Sequence, residues 1–433
     1  MIICRRLVGT RHNNRSAEMS ICFSKAGCNS VACSSEFTVT LSLTCDIDGR
    51  STRTQGCSTV SKRRKTIVIG AGPAGCASAL SLASFPGSEC LLLERKVLPR
   101  TKACGSGLSP WTLKFLDRLG VGREVRRRAF RIDGAIISGT DGRGVELRGD
   151  HETAVLLRSE FDELLAREAE RRGAELRENC TVRRIESHRG QVAVETTQGT
   201  FEADAVIDCS GATGGFDRER RREPASVGQS TLHTIMAWYE GVQGTSDVVE
   251  LFFDRELKPH YGWVFPESAR RVNVGLCFEP DKAKPNARQR FEEFLERRLA
   301  CRLQGAEQLG SWIGHPVNVS SVPMRLTAPG VLRAGEAGWL SDFATAEGIY
   351  HGLVSGHLAG LHLGRLAERG WRDDLDGCSY QSSVLKELAP RMLGGRLLMS
   401  ALRSPALDMA LRFSSARATR EVLKRAFSGL YHG

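Results

Sequence analysis

The sequence predicts an α/β protein: a Rossmann-like dinucleotide-binding domain, an antiparallel β-sheet inserted into it, and a C-terminal helical region. Three stretches carry this expectation. Residues 66–94, TIVIGAGPAGCASALSLASFPGSECLLLE, follow the order strand, glycine turn, helix, strand, acid. Residues 228–322 turn to alternating, aromatic-bearing segments, and 330–340, GVLRAGEAGWL, return to the character of a parallel strand and glycine turn. Residues 376–433 interleave Leu, Met and Ala with Arg at helical spacing.

Each part of 66–94 has a physical task. The β-branched run 66–69 suits a buried parallel strand. Gly70, Gly72 and Gly75 stand at the G-x-G-x-x-G spacing. The first permits the tight turn, the second lets backbone amides approach a pyrophosphate, and the third lets the helix pack close on the strand. Pro73 at the helix entry sacrifices no hydrogen bond, and the helix that runs on from Ala74 offers unpaired N–H groups and a positive dipole end to phosphates. Pro86-Gly87 ends that helix. Residues 90–93 form the second strand, and Glu94 at its end can accept hydrogen bonds from a ribose, with Arg95 beside it as a further cofactor contact. Glycine and proline punctuate the stretch, so it is no membrane span.

The following loop, RKVLPRTKACGSGLSP, sets Cys104 beside Gly105 and Gly107, a composition suited to lying close against a ligand. Ser109 caps a helix that starts at Pro110, buries Trp111, Phe115, Leu116 and Leu119, and stops at Gly120. A second helix is expected over 159–172, from a capping box of Ser159 with Asp162, an apolar face of Phe161, Leu164, Leu165 and Ala169, and Gly173 at its end. Short strands are expected within 131–157, and further strands at 180–185, 191–196 and 203–209, the last returning to the nucleotide sheet. Strands at 234–239, 248–253, 261–266 and 272–278 and a helix at 287–299 compose the insert. The expected organisation is an extension over 1–61, the nucleotide domain in two parts over 62–227 and 323–375, the insert over 228–322 and the helical region over 376–433. In that last region Gly394-Gly395 and Pro405 are expected to break the helix.

Residues 345–364 repeat glycine at 348, 352, 356, 360 and 364. Each costs about 1 kcal/mol relative to Ala inside a helix, so five imply close approach to another element. The expectation is a helix packed on the nucleotide fold, its N-terminus at 347–349 directed at the ligand. His351, His357 and His362 oppose a lipid-embedded helix and have no metal-ligand spacing.

The formal net charge of +11 sits at the ends: residues 1–65 carry +7 and 379–433 carry +6, which leaves −2 for 66–378. With a near-neutral body the pI is no argument for a nucleic-acid enzyme, and the basic C-terminal region suits either contact with an anionic membrane surface or a solvated tail. Fourteen cysteines without a C-x-x-C pair fit neither a zinc site nor a disulfide framework and indicate a reducing, cytoplasmic setting. Residues 1–61, rich in Ser, Thr, Arg and Cys and poor in acids, read as a disordered or removable extension, or as an organelle transit peptide.

The motifs together resemble the FAD-dependent geranylgeranyl reductase family, within the p-hydroxybenzoate-hydroxylase-like flavoproteins. The carriers, spread from about residue 65 to 364, are GAGPAG at 70–75, Glu94, KACGSGL at 102–108, RSEFD at 158–162, YGWVFP at 261–266, GEAG at 335–338 and AEGI at 346–349. The resemblance implies an FAD-binding domain with an inserted substrate domain. It implies FAD held by Ala74, Glu94, Cys104, Gly105, Gly107, Arg158, Val182, Glu336, Gly348 and Ile349, with Tyr261, Trp263 and Phe265 lining the substrate cavity. The implied reaction is hydride transfer from reduced flavin N5 to a C=C bond of an isoprenoid or similar apolar substrate, with NADPH or reduced ferredoxin as electron donor and Cys104 as proton donor or gate. Glu336 stands where the family has Asp. A flavin monooxygenase or halogenase of the same fold is the alternative in chemistry. A flavin-binding or membrane-associated protein without turnover is the alternative of another class.

Overall fold

The computed structural model describes residues 16–19, 41–44, 63–188, 190–214, 228–281, 286–321, 325–369, 377–414 and 417–426. Met1–Val60 and Ser61–Gly433 are separate units. In the first, Ser16–Met19 pairs antiparallel with Leu41–Thr44; the rest of 1–61, on which the extension and transit-peptide readings fall, lies outside the described residues.

The larger unit is built on a six-stranded sheet in the order Thr327–Ala328, Val331–Arg333, Ala205–Asp208, Arg64–Ile69, Ser88–Leu93, Glu175–Arg177. Neighbours run parallel except for the first pair. Cover on both faces explains the unbroken apolar runs, and Ile67 and Val68 are wholly buried. The helices Pro73–Leu82 and Ile349–Arg369 pack against each other, and glycine sets how closely. A Cβ placed on Gly356 would stand 2.0 Å from the Ala74 carbonyl oxygen, and one on Gly360 2.4 Å from that of Ser78. Ser78 Oγ donates across the contact to the Gly356 carbonyl at 3.0 Å.

A nine-stranded sheet has the order Ser341–Asp342, Glu307–Ser320, Gln229–Glu240, Arg271–Phe278, Gly262–Pro266, Val248–Phe253, Phe130–Gly139, Gly144–Val155, Gly107–Leu108. It is antiparallel but for two pairings, Val248–Phe253 with Phe130–Gly139 and Glu307–Ser320 with Ser341–Asp342. One core lies around Met236, Leu251, Trp263 and Cys277, and another around Val264, Val274 and Leu276 under the helix Ala287–Leu299. Both edge strands belong to loops that enter the site: Gly107–Leu108 follows Cys104, and Ser341–Asp342 leads to the glycine helix.

Several local expectations change. Residues 131–157 hold two long paired strands, not several short ones. The strand expected at 203–209 is Ala205–Asp208, and Val182–His188, Gln191–Thr196 and Gly199–Ala203 form a separate three-stranded sheet. The helix expected from 159 starts at Arg158, with Leu157 at its N-cap and no side-chain cap. Asp162 is drawn to Arg158 instead, through two bonds of 2.8 Å, because a buried carboxylate gains more from a guanidinium than from a neutral donor. Gly394-Gly395 does not break the C-terminal helix, which runs unbroken over Gly377–Arg403. Gly395 is where that helix closes on Asp342, whose Oδ2 would be 2.3 Å from a Cβ. A new helix, Ala406–Arg412, does follow Pro405. The strand Glu307–Ser320 has no counterpart in the expectation.

Candidate functional site

A cavity of about 480 Å³ is lined from both large sheets. Its wall includes Gly70, Gly72, Pro73, Ala74, Glu94, Arg95, Cys104, Gly105, Gly107, Arg158, Val182, Glu336, Gly348 and Ile349, together with Tyr261, Trp263 and Phe265. Of the residues expected at the site, Gly75 alone is off the wall. A Cβ there would stand 1.8 Å from the Gly70 carbonyl oxygen, so Gly75 serves the contact of helix and turn.

The fingerprint end is positive and braced. Pro73–Leu82 and Ile349–Arg369 both begin at the wall, bringing two sets of unpaired helix N–H groups and two positive dipole ends together. Gly70 has φ +97°, which the turn requires. The Ala71 N–H donates to Glu94 Oε2 at 3.0 Å. Arg100 reaches Glu94 at 3.2 Å and Asp162 at 3.0 Å, so the fully buried Asp162 is shared by Arg100 and Arg158. Burial opposes the Arg158 charge, but Asp162 and the Cys104 sulfur outweigh it and raise its pKa. A Cβ on Gly72 would meet only the tips of these two guanidinium groups, at 3.8 and 3.9 Å. The backbone is thus left open beneath two cations, the setting an anionic pyrophosphate needs.

Further along, the Cys104 loop lies on the aromatic wall. A Cβ on Gly105 or Gly107 would touch the Phe265 ring at 3.0 or 3.1 Å. The Ser106 N–H donates to Cys104 Sγ at 3.3 Å. Trp263 Nε1–H donates to Asn273 at 2.7 Å, and the Tyr261 hydroxyl donates to the Thr345 carbonyl at 2.5 Å. The polar ends of both rings are therefore satisfied inside the protein, which leaves their faces to an apolar space continued by Met236, Val249, Leu251 and Phe253.

Titratable groups stand between the two ends. Lys102 pairs with His315 of the strand Glu307–Ser320. Burial lowers Lys102 to about 8, and burial with the Lys102 charge lowers His315 to about 4. Burial raises the pKa of Glu336, whose Oε1 accepts the Asn318 N–H at 2.9 Å. Burial also raises Glu347, which accepts the Ser109 hydroxyl at 2.6 Å. Asp342 Oδ1 accepts from Ala344 N–H, Thr345 N–H and the Thr345 hydroxyl at 3.0, 2.7 and 2.8 Å, shaping the loop into the glycine helix. Sequence reasoning misses Arg100, Cys277, His315 and Asp342, and it misses what Lys102 and Asp162 do at the site, reading the first only as part of KACGSGL and the second as a helix-cap partner within RSEFD.

The family model described as "FAD binding domain" matches residues 63–302. The chain is similar to digeranylgeranylglycerophospholipid reductase 2 of Methanopyrus kandleri, 31% identical over 308 residues that cover 68% of this chain and 75% of that one. The chain belongs to the FAD-dependent geranylgeranyl reductase family. As a member it is an FAD-dependent oxidoreductase. It is also similar to the menaquinone reductase of Mycobacterium tuberculosis, 28% identical over 396 residues that cover 84% of this chain and 94% of that one. Among solved structures it resembles a geranylgeranyl bacteriochlorophyll reductase-like protein from Thermoplasma acidophilum, with a TM-score of 0.72 at 20% identity over 86% of this chain and 97% of that one. A flavin-dependent brominase shares the fold, with a TM-score of 0.69 at 17% identity over 85% and 94% of the two chains. At these identities the two structures speak to the fold alone.

Proposed function

We propose that the protein reduces C=C bonds of a geranylgeranyl-type isoprenoid, or of a similar apolar substrate, with NADPH or reduced ferredoxin as electron donor. The observation that carries the reading is the continuity of one cavity from the fingerprint glycines to the wall of Tyr261, Trp263 and Phe265. The residues fit FAD. The open backbone at Gly72 beneath Arg100 and Arg158 suits its pyrophosphate, and Glu94 its ribose. Arg158, the Cys104 loop and the helix start at Gly348 and Ile349 would hold the flavin end. When bound, FAD supplies the hydride. The chain's own work is to bury the substrate, each Å² of apolar surface removed from water contributing roughly 25 cal/mol, and to exclude water. Cys104, at the edge of the aromatic wall, is the gate or a proton donor.

A membrane surface is part of the same reading. Leu393, Leu397, Met409 and Phe413 are exposed large apolar side chains, set among exposed Arg396, Arg403 and Arg412. Leu398 and Leu402, on the same helix as the first two, line the cavity. A bilayer that carries the substrate would be met by the helix that closes the site. No helix among the described residues is long and apolar enough to cross a membrane. Cys76, Cys90, Cys104, Cys180, Cys209 and Cys277 are free thiols inside the fold, which suits a cytoplasmic setting.

The test is anaerobic reduction of the bound flavin, then addition of isoprenoid diphosphates, unsaturated phospholipids and quinones in turn, with mass spectrometry. Flavin reoxidation coupled to a gain of two hydrogens per double bond is expected. Flavin that stays reduced with every isoprenoid, or an O2-dependent hydroxylated or halogenated product, refutes the reading. A purified protein that rejects added FAD removes the cofactor as well.

A further inference from the structure

The proposed reduction needs two hydrogens of different origin, a hydride for one carbon and a proton for the other. The proton must come from an acid inside a cavity that excludes water, and that acid must be recharged after each turnover. Cys277 is a thiol on the cavity wall, 2% exposed. Its N–H donates to the Tyr261 carbonyl at 3.0 Å, and the side chains of both residues line the substrate space. Beside Tyr261 in the chain is His260, 1% exposed, with no hydrogen-bond partner for either ring nitrogen. The ring interacts with the Cys277 sulfur and with the Glu279 carboxylate, whose Oε1 lies 3.8 Å from Nε2. Glu279 is 39% exposed and paired with Arg403 at 2.7 Å, so it reaches solvent. A cavity thiol, a buried imidazole and a surface carboxylate thus stand in series. Burying an imidazole whose nitrogens make no hydrogen bond of ordinary geometry is costly, and a relay would account for the ring's presence there.

We propose that Cys277 gives the proton to the second alkene carbon, and that His260 and Glu279 return a proton to it from solvent. The proposal rests on the reductase reading. The step balances. The alkene π pair forms a C–H bond with the Cys277 proton while the hydride, with its two electrons, completes the other carbon. The S–H bond breaks to leave a thiolate, the imidazolium N–H restores it, and water recharges the ring by way of Glu279. Burial opposes charge on the ring, but Cys277 and Glu279 outweigh it and hold His260 up to about 9, so the proton is present at neutral pH. Other charged or titratable groups beside the relay include Tyr261, whose pKa is raised by burial and by Cys277, Asp342, Glu347 and Cys104, and Arg403 on Glu279. Cys104 has Arg158 as its neighbour, a group that does not release protons in this range. The proposal therefore leaves Cys104 the role of gate.

Two measurements test this, one of them independent of flavin chemistry. Full-length protein is treated with a small alkylating reagent across pH, and each cysteine is read by peptide mass spectrometry. His260→Gln is expected to slow alkylation of Cys277 about tenfold near neutral pH, because the imidazole that exchanges a proton with its sulfur during the reaction is gone. A Cys277 that does not react in the folded protein, or reacts equally fast in His260→Gln, overturns the relay. In the holoenzyme, Cys277→Ala and the volume-conserving Cys277→Ser are expected to lower single-turnover alkene reduction by about 10²-fold or more. The rate of flavin reduction by the electron donor should be unchanged. An active parent with equally active variants overturns the proposal alone, whereas a parent that reduces no isoprenoid overturns the reductase reading along with it.

Discussion

A single methyl group at residue 356 sets two effects against each other. In an isolated helix, Gly→Ala stabilises by about 1 kcal/mol. In this fold the new carbon would stand 2.0 Å from the Ala74 carbonyl oxygen, and ordinary contact would need roughly 1.5 Å more. The obstructing atom is backbone, so no side-chain rotation relieves the clash, and the helices must part. Parting them strains the 3.0 Å bond from Ser78 Oγ to the Gly356 carbonyl, at about 1 kcal/mol, and adds overpacking strain of about 1–3 kcal/mol. After the propensity gain, Gly356→Ala should destabilise the protein by about 1–3 kcal/mol. Ala74 also lines the cavity, so FAD affinity should fall too, by tenfold for every 1.4 kcal/mol or so. Gly394→Ala is the control. It is a helix-interior glycine with nothing within 4 Å of a Cβ, and it should gain up to about 1 kcal/mol. Urea unfolding followed by circular dichroism, with FAD titration by fluorescence, measures both variants. A Gly356→Ala protein with parental stability and parental FAD affinity would refute the reasoning that these helices are held at glycine distance.

Lys102 makes stability depend on pH. Burial lowers it from 10.5 to about 8, so between those values the unfolded chain binds a proton the folded chain has lost, and stability rises with pH across that window. His315, lowered from 6.5 to about 4, makes stability fall as pH drops between those values. Melting temperatures of ligand-free parent, Lys102→Met and His315→Gln across both windows check the two slopes, each of which should flatten in its own variant. Asp162→Asn leaves Arg100 and Arg158 without their shared carboxylate and should cost about 3–5 kcal/mol, read from the urea midpoint. Leu393→Ser combined with Leu397→Ser should reduce sedimentation with anionic liposomes while leaving FAD content unchanged; equal sedimentation removes the membrane surface from the proposal.

Legibility in the sequence follows the range of the interactions. Residues 66–94 announce their structure because every signal in them is local, the glycine at a positive φ, the proline at a helix start and the apolar run of a strand all acting within a few residues. The glycines from 348 to 364 are legible for a related reason: repeated local cost inside a helix implies a close neighbour, although it does not name that neighbour. Glu307–Ser320 shows the limit. Its sequence, EQLGSWIGHPVNVS, lacks a sustained alternation of apolar residues, and its strand pairing is supplied by Gln229–Glu240, far away in the chain. Its missing signal hid His315 and Asn318, and with them the partners of Lys102 and Glu336.

The sequence by itself determined the nucleotide-binding unit, the aromatic insert and the glycine, Cys104 and aromatic parts of the cavity wall, because local preference and tertiary packing agree there. Tertiary structure alone decided the electrostatics. Asp162 has the spacing of a helix cap but lies buried between two guanidinium groups, and Gly395 has the look of a helix break but marks the approach to Asp342. It also brought Cys277 and Glu279 to His260. A charge or thiol takes its role from what surrounds it when water is gone, and those surroundings are assembled only when strands distant in the chain pair.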